Sequence, residues 1–252
     1  IRRIDQAQKE FLQNAQKTVR GRSEQTKFLK LLEIDNRFVD YLNNTQLSTE
    51  QYNHIFGSAT RILNKDIFYS IDSTSGRFHS NVTNMAKELR PYLRVKGEPL
   101  INIDVKNSQP YLSTIILTNP GKVSWMTENP AFALLLQTLK VSMNEDVKKY
   151  ISLVISGQLY EYLIQEFSKA GLTLTRDETK IQVLRILFAR NRLPKNGANR
   201  QARLIFKKAF PTVHRIFSKV RGRERGNKFT SFKRFAILLQ RIESYLMLDV
   251  IL

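Results

Sequence analysis

An acid stands at the end of an apolar, strand-like run in an otherwise strongly basic chain. Residues 98–105 are rich in apolar side chains and are predicted to form a buried strand, entered through Gly97, with Asp104 at its end. A carboxylate in that position suits Mg²⁺, which binds through oxygen and relies on substrate phosphates for further ligands. Capping of a turn, or of the helix that starts near Pro110, is the alternative role for Asp104, and both roles stay open at this point.

The composition limits the class of partner. The chain has 252 residues, no cysteine and a formal net charge of +19, from 41 lysines and arginines against 22 acids. That length allows one large domain or two small ones, and the charge favours nucleic acid or another anionic partner. The lack of cysteine excludes disulfides and cysteine-ligated zinc, and three scattered histidines argue against a histidine-rich metal site. Since no apolar run reaches the roughly 18 residues of a membrane span, we expect no membrane partner.

Hydrophobic periodicity predicts an α+β fold that is predominantly helical, with strands only near 66–80 and 99–106. The small antiparallel sheet is expected to carry Asp104. Ser48 and Thr175 are predicted N-caps, and Glu178 stands at the offset of a capping box with Thr175. The predicted helices, with approximate ends, are 5–45, 49–63, 111–117, 130–139, 144–156, 157–169, 176–192, 199–209, 211–221 and 231–250.

The predicted helix 176–192 has a face suited to a nucleotide. Arg176, Lys180, Leu184 and Phe188 recur every four residues and therefore share one side of the helix. Two cations at the start of that face suit a triphosphate, and an aromatic ring at its end suits a base or sugar. The alternative is an ordinary amphipathic helix with Leu184 and Phe188 in the core.

The region 200–234 is the most basic part of the chain, and Glu224 is its single acid. Such a region is expected to follow a nucleic-acid backbone with strong salt dependence, although solvated basic helix faces are the alternative. The phenylalanines interleaved with these cations are expected in the core. The cations are Arg200, Arg203, Lys207, Lys208, Arg215, Lys219, Arg221, Arg223, Arg225, Lys228, Lys233 and Arg234.

The order of these pieces resembles the family A (polymerase I-like) DNA polymerases. Gly76-Arg77-Phe78-His79-Ser80, then Thr83-Asn84-Met85, then Arg90 precede the strand ending at Asp104. In that family a Gly-Arg-Leu-Ser-Ser segment, a Pro-Asn-Leu segment and an arginine precede the motif A strand, which ends in Asp-Tyr-Ser-Gln-Ile-Glu.

Later segments continue the resemblance. Arg176-x3-Lys180 with Phe188 resembles motif B, the fingers helix that binds the incoming nucleotide. The final helix, with Gln240 and Glu243-Ser244, resembles the helix that leads to motif C. The resemblance covers about 76–252.

The resemblance implies a role for each matching residue. Asp104 would be the first of two metal-binding carboxylates, and the backbone carbonyl of Val105 would join the same Mg²⁺. Arg176 and Lys180 would hold the triphosphate, and Phe188 would lie near the base and template. The primer–template duplex would be contacted by Arg77, Ser80, Asn84 and Gln240.

The chain also departs from the family pattern. Gln109 stands where the family has the glutamate that helps to exclude the ribose 2′-OH, so the choice between deoxynucleotides and ribonucleotides stays open. Leu184 replaces the first aromatic of motif B, and Ala189 replaces the glycine after the second. No His-Asp-Glu motif C follows, and Asp249 is a poor substitute for its aspartate. The second metal-binding carboxylate is therefore expected past residue 252.

These observations predict a template-directed DNA polymerase with a polymerase-like palm and helical fingers, using two Mg²⁺ ions. Its expected partners are a DNA or RNA primer–template, nucleoside triphosphates and other replication subunits. A single-subunit RNA polymerase relative is one alternative, and a non-catalytic, basic nucleic-acid-binding subunit on a polymerase-like scaffold is another. The expected regions are a basic helical part (thumb-like or docking) at 1–65, palm at 66–125, fingers at 126–230 and a palm helix at 231–252.

Overall fold

The computed structural model describes residues 27–222 and 233–250, and these residues are mostly helical with small antiparallel sheets. This confirms the predicted α+β class. The described residues form two compact units. The N-terminal unit comprises 27–104 with 244–250, and the central unit comprises 105–222 with 233–243.

The strands lie in the N-terminal unit and pair in two antiparallel sheets. The first sheet has the order β1-β4-β5, with Glu33 opposite Arg94 and Arg94 opposite Pro99. The second is the β2-β3 hairpin, with Ser70 opposite His79, which confirms the strand structure predicted near 66–80. The strands are β1 Leu32–Ile34, β2 Tyr69–Ile71, β3 Phe78–Ser80, β4 Leu93–Val95 and β5 Glu98–Pro99.

Helices make up most of the rest, and those predicted between residues 49 and 221 are confirmed with small shifts at their ends, apart from the end predicted at 192. Short 3₁₀ helices lie at Lys87–Tyr92 and Pro120–Met126, and a π-helical turn spans Leu246–Val250. The α-helices are α1 Arg37–Asn44, α2 Thr49–Leu63, α3 Ser108–Thr118, α4 Pro130–Thr138, α5 Glu145–Ile155, α6 Leu159–Lys169, α7 Arg176–Phe188, α8 Ala198–Ala209, α9 Pro211–Arg221 and α10 Arg234–Tyr245. Within the described ranges, no helix is both long and apolar enough to cross a bilayer.

The helical prediction over 5–45 is wrong at residues 32–34 and is confirmed where α1 spans Arg37–Asn44. Residues 32–34 form β1, because they pair with β4, and this long-range pairing overrides the helical preference of the sequence. The Asp35 side chain then accepts a hydrogen bond from the Arg37 backbone N–H at 3.0 Å, at the start of α1. Residues 1–26 lie outside the described ranges.

The core of the N-terminal unit is formed by apolar side chains that these elements turn inward. Phe38 of α1, Ile62 of α2 and Leu32 of β1 are all nearly fully buried, and Leu89 of the 3₁₀ helix is 0 % exposed. Ser48 caps α2 as predicted and forms a capping box with Gln51. Burial of each such side chain stabilises the folded state by about 1.5–3 kcal/mol.

The predicted buried strand over 98–105 is wrong. Only Glu98–Pro99 pairs as β5, and residues 100–105 are irregular, with Ile101 85 % and Ile103 88 % exposed. An apolar run becomes a buried strand only where a neighbouring strand and a second layer cover it, and none is placed there among the described residues. Asp104 therefore lies on an exposed, extended segment rather than within the sheet.

The core of the central unit is built around Tyr150 of α5, which is 0 % exposed. Phe206, Phe210 and Phe217 meet its ring edge-on, with interplanar angles of 82°, 80° and 78°. The Tyr150 hydroxyl shares a 3.0 Å hydrogen bond with Ser113 Oγ, and burial raises the pKa of this tyrosine. These phenylalanines are core residues, as predicted, rather than stacking platforms.

Candidate functional site

Helix α7 carries the residues that resemble motif B, and its start is fixed locally. The Thr175 side chain accepts from the Glu178 backbone N–H at 3.3 Å, while Glu178 accepts from the Thr175 N–H at 2.8 Å. This capping box confirms the predicted N-terminus. The predicted end at 192 is wrong, because the guanidinium of buried Arg221 bonds the carbonyls of Ile186 and Ala189 and the helix stops at Phe188.

One side of α7 is packed and the other is open. Its fully buried residues are Thr179, Gln182, Val183, Ile186 and Leu187. Arg176 and Lys180 are exposed, and Leu184 and Phe188 are half-buried. The four residues predicted to share a face therefore lie away from the buried side, and neither Leu184 nor Phe188 is a fully buried core residue.

The two cations of this face differ in how they are held. Arg176 Nε donates to Glu161 Oε1 at 3.0 Å, and the guanidinium lies 5.4 Å from the centre of the Tyr160 ring. Helix α6 thus anchors Arg176. Lys180 has no hydrogen bond or ion pair with any residue of the described ranges. The face therefore offers an anion one cation held by an ion pair and one cation with no partner in the described ranges.

Glu161 and Lys106 belong to the same cluster, and the sequence reasoning missed both. A Cβ built on Gly157 would lie 3.1 Å from Lys106 Nζ, so the bare glycine gives the lysine room beside α6. Burial opposes ionisation of Glu161, but the Arg176 hydrogen bond and the charges of Arg176 and Lys106 outweigh it and lower the pKa of Glu161. Separations of 55 and 15 residues along the chain left no local signal for this contact set.

Asp104 and Val105 follow β5 on the irregular segment. Asp104 is exposed and makes no hydrogen bond to a described residue, and Val105 is half-buried. The capping alternative is wrong, since α3 begins after Asn107, which adopts a left-handed conformation with φ 58°. Asp104 belongs to the N-terminal unit and Arg176 and Lys180 to the central unit, so their joint action stays a prediction.

The fit of this segment to Mg²⁺ follows from its donor atoms. The described residues hold no group of three or more His, Asp or Glu side chains placed to bind a metal ion. An unengaged carboxylate beside a backbone carbonyl still matches the chemistry of Mg²⁺, which commonly takes one or two protein carboxylates and completes its shell with phosphates and water. Asp104 and the carbonyl of Val105 fit that partial role.

Gln109, at the position of the family's motif A glutamate, is tied to the final helix. Its Nε2 donates to Glu243 Oε1 at 3.2 Å, which joins the first turn of α3 to α10. Gln240 is half-buried one turn before Glu243, so the two lie on neighbouring parts of one helix face. The structure thus brings Gln109 and the α10 segment together within the central unit.

The remaining predicted duplex contacts lie around β3 in the N-terminal unit. Ser80 is 1 % exposed, and its backbone N–H donates to Thr83 Oγ1 at 2.7 Å. The Asn84 backbone N–H donates to the Ser80 carbonyl at 3.1 Å, and the Asn84 side chain is exposed. Arg77 is half-buried. Asn84 is open to solvent and Arg77 only partly so, whereas buried Ser80 shapes the turn before the 3₁₀ helix.

Part of the basic C-terminal region has a structural role that the sequence reasoning did not foresee. Arg203 is 4 % exposed, and its Nη1 donates to the carbonyls of Arg190 at 2.6 Å and Arg192 at 3.3 Å. Arg221 is 0 % exposed and also donates to Ser218 Oγ at 3.0 Å. Burial, with the charge of Arg203, lowers the pKa of Arg221 to about 9. Arg203 and Arg221 therefore bond the protein's own carbonyls, and the prediction that they follow a nucleic-acid backbone is wrong.

The other cations of that region differ in exposure. Arg234 is half-buried and donates from Nε to the Val220 carbonyl at 2.5 Å, at the end of α9. Arg223, Arg225 and Lys228 lie outside the described ranges. The exposed cations are Arg200, Lys207, Lys208, Arg215, Lys219 and Lys233.

Comparisons of the chain with protein-family models, with curated proteins and with solved structures found no significant match.

Proposed function

We propose that the chain is the palm-and-fingers part of a template-directed nucleotidyltransferase of the family A DNA polymerase type. The open face of α7 is the main support for this proposal. It presents Arg176, which is held by an ion pair, and Lys180, which has no partner among the described residues, on the same side of a capped helix. The anchor of Arg176, Glu161, also feels the charge of Lys106, which follows Asp104 by two residues. Lys106 therefore belongs to the charged cluster around Arg176 within the central unit.

Each side chain has a defined task in this proposal. Arg176 and Lys180 bind the triphosphate, with Arg176 held in a fixed orientation and Lys180 free to adjust. Phe188, at the open end of the same face, packs against the base. Asp104 and the Val105 carbonyl would hold Mg²⁺, which supplies activation of the primer 3′-OH and stabilises the leaving pyrophosphate. Positioning and electrostatics then provide most of the rate, as in other phosphoryl transfers.

The other predicted residues act on the nucleic acid and the sugar. Half-buried Arg77 and exposed Asn84 lie near β3 and contact the primer–template duplex, and Gln240 does so from α10. Gln109 lies at the sugar position of the family pattern, and its amide is held by Glu243. The occupant of that position sets the choice between deoxynucleotides and ribonucleotides.

The proposal is tested by binding and synthesis assays on the same protein. Lys180→Ala is expected to weaken Mg²⁺-dependent binding of a fluorescent nucleoside triphosphate by about tenfold. Lys122→Ala is the matched control, since Lys122 is an equally exposed lysine of the central unit. Asp104→Asn is expected to abolish primer extension by the full-length protein. Undiminished extension by Asp104→Asn, or equal binding losses in both lysine variants, would show that the assignment is wrong.

A second function is favoured by the exposed cations of α8 and α9. Lys207 and Lys208 on α8 and Arg215 and Lys219 on α9 face solvent, with no acid between them. A basic subunit that binds nucleic acid without synthesis would show Mg²⁺-independent binding whose affinity falls steeply with salt. Binding of that kind, with no nucleotide incorporation under any metal condition, would favour this second function.

A further inference from the structure

A cleft in the N-terminal unit combines tyrosine rings, arginines and small polar groups. It lies between α1 and the end of the 3₁₀ helix with the adjoining β4, and its volume is about 580 Å³. That size is within the range of small-ligand sites, about 300–1,000 Å³. None of the residues assigned above to metal, triphosphate or duplex lines it. Its lining residues are Arg37, Asp40, Tyr41, Asn44, Thr45, Pro91, Tyr92 and Arg94.

The aromatic wall of the cleft consists of Tyr41 and Tyr92. Their ring centres are 6.3 Å apart and the ring planes are tilted by 43°. Both side chains pack in part against the apolar core and are half-buried, so the remaining ring surface lines the cleft. Half-buried rings held from behind by a core provide rigid stacking surfaces for a planar ligand.

Two guanidinium groups are fixed beside this wall by one carboxylate. Asp35 accepts from Arg37 Nε at 3.0 Å and from Arg94 Nη2 at 3.0 Å. Arg94 Nη1 also donates to the Pro91 carbonyl at 2.7 Å, which holds that arginine in place. The Arg37 side chain is 69 % exposed and that of Arg94 is 14 % exposed. Asp35 and the lining carboxylate Asp40 balance the two guanidinium charges, so the cleft itself has no net charge. Arg37 gives Nε and Nη2 to Asp35, and its remaining Nη1, on a mostly exposed side chain, can meet a phosphate.

The cleft also has polar groups that match the edge of a base. Asp40 and Asn44 of α1 and Thr45, which follows the helix, bring a carboxylate, an amide and a hydroxyl to the lining. These groups include both hydrogen-bond donors and acceptors, so they can pair with the exposed edge of an unpaired nucleobase. Bases inside a duplex are stacked on both faces and do not offer this surface.

We propose that this cleft binds single-stranded nucleic acid, with a base stacked on the Tyr41–Tyr92 wall and an adjoining phosphate on Arg37. Aromatic stacking combined with arginine contacts is the usual way in which proteins hold unpaired strands. The net charge of +19 supplies the long-range attraction. The site needs neither Mg²⁺ nor a triphosphate, so it goes beyond the nucleotidyltransferase function and stands or falls separately from it.

The test uses fluorescence anisotropy of a labelled single strand of about 12 nucleotides, with EDTA present and no triphosphate. Tyr41→Leu is expected to weaken binding by about tenfold, whereas Tyr41→Phe keeps the ring and the affinity. Tyr52→Leu is the control, because Tyr52 is an exposed tyrosine of α2 in the same unit. Arg37→Gln, at a mostly exposed side chain, is expected to weaken binding and to flatten its salt dependence.

Photo-crosslinking of the unaltered protein to a bromouracil-containing strand removes any dependence on variant folding. We expect crosslinked peptides to contain Tyr41 or Tyr92. Crosslinks confined to other regions, or equal losses in Tyr41→Leu and Tyr52→Leu, would each overturn the proposal.

Discussion

Arg176 Nε lies 3.0 Å from Glu161 Oε1, so the first cation of helix α7 is oriented by a carboxylate of the preceding helix. Both side chains are about half exposed, at 50 % and 40 %, so the pair adds little to stability. Its consequence is geometric. A guanidinium that is held at Nε keeps its Nη1 and Nη2 donors for an anion, on the helix face that also carries Lys180.

Replacing Glu161 by glutamine is expected to separate positioning from stability. The free energy of unfolding should change by less than about 1 kcal/mol, because the ion pair is exposed. Triphosphate affinity should fall by about fivefold, since Arg176 loses the charged partner that orients it. Urea unfolding and nucleotide titration measure the two quantities. Glu166→Gln, which breaks the exposed Glu166–Lys169 pair on the same helix, is the control and should leave affinity unchanged.

His214 is expected to make the protein less stable in mild acid. Burial and the charges of Arg221, Arg203 and Lys207 lower the pKa of His214 to about 4, below its ordinary value of 6.5. The folded state therefore favours the neutral ring. The contribution of His214 to the free energy of unfolding is full above about pH 6.5 and is lost as the pH falls toward 4. Thermal unfolding measured between about pH 7.5 and 4.5 should show this loss.

The matched variants for that pH series are His214→Gln and His54→Gln. The first should flatten the acid dependence, because glutamine does not gain a proton in this range. The second removes an exposed histidine of α2 and should keep the slope of the unaltered protein. A slope that survives in His214→Gln would assign the acid sensitivity to other groups.

Arg221→Met is expected to destabilise the central unit by about 2–4 kcal/mol. The variant leaves the carbonyls of Ile186 and Ala189 without their buried donor, and that loss outweighs the relief of removing a buried charge. Hydrogen exchange should quicken first at the C-terminal turn of α7. Lys219→Met, an exposed position on the same helix α9, should change stability by less than about 0.5 kcal/mol. Unchanged exchange at α7 in Arg221→Met would contradict the capping role.

Local rules predicted the elements whose ends are set by neighbouring residues. The starts of α2 and α7 follow from Ser48 and Thr175, since each cap bonds a backbone group three residues away. The prediction of a buried strand over 98–105 is wrong for the opposite reason. Whether Ile101 and Ile103 are covered depends on distant segments, and an apolar pattern does not reveal them.

The same distinction separates the parts of the candidate site. The shared face of Arg176 and Lys180 follows from helical periodicity, which the sequence displays directly. Glu161, Lys106 and the buried positions of Arg203 and Arg221 depend on how helices pack against one another. A basic residue looks alike in the sequence whether it faces solvent or bonds a helix carbonyl, so only the fold divides the cations of 200–234 into two kinds.

The pairing of Gln109 with Glu243 predicts how nucleotide selectivity responds to charge. Gln109→Glu places a second carboxylate within about hydrogen-bond distance of Glu243, where the 3.2 Å contact now lies. Two like charges at that separation repel, so we expect a loss of about 1 kcal/mol in stability and no clean gain in selectivity.

The double variant Gln109→Glu/Glu243→Gln restores the donor–acceptor pair in reverse. It should recover the stability and shift incorporation from ribonucleotides toward deoxynucleotides, as measured by competition between the two in primer extension. Equal selectivity in the unaltered protein and the double variant would remove Gln109 from the sugar-recognition role, whereas additive stability losses would show that the two side chains are not coupled.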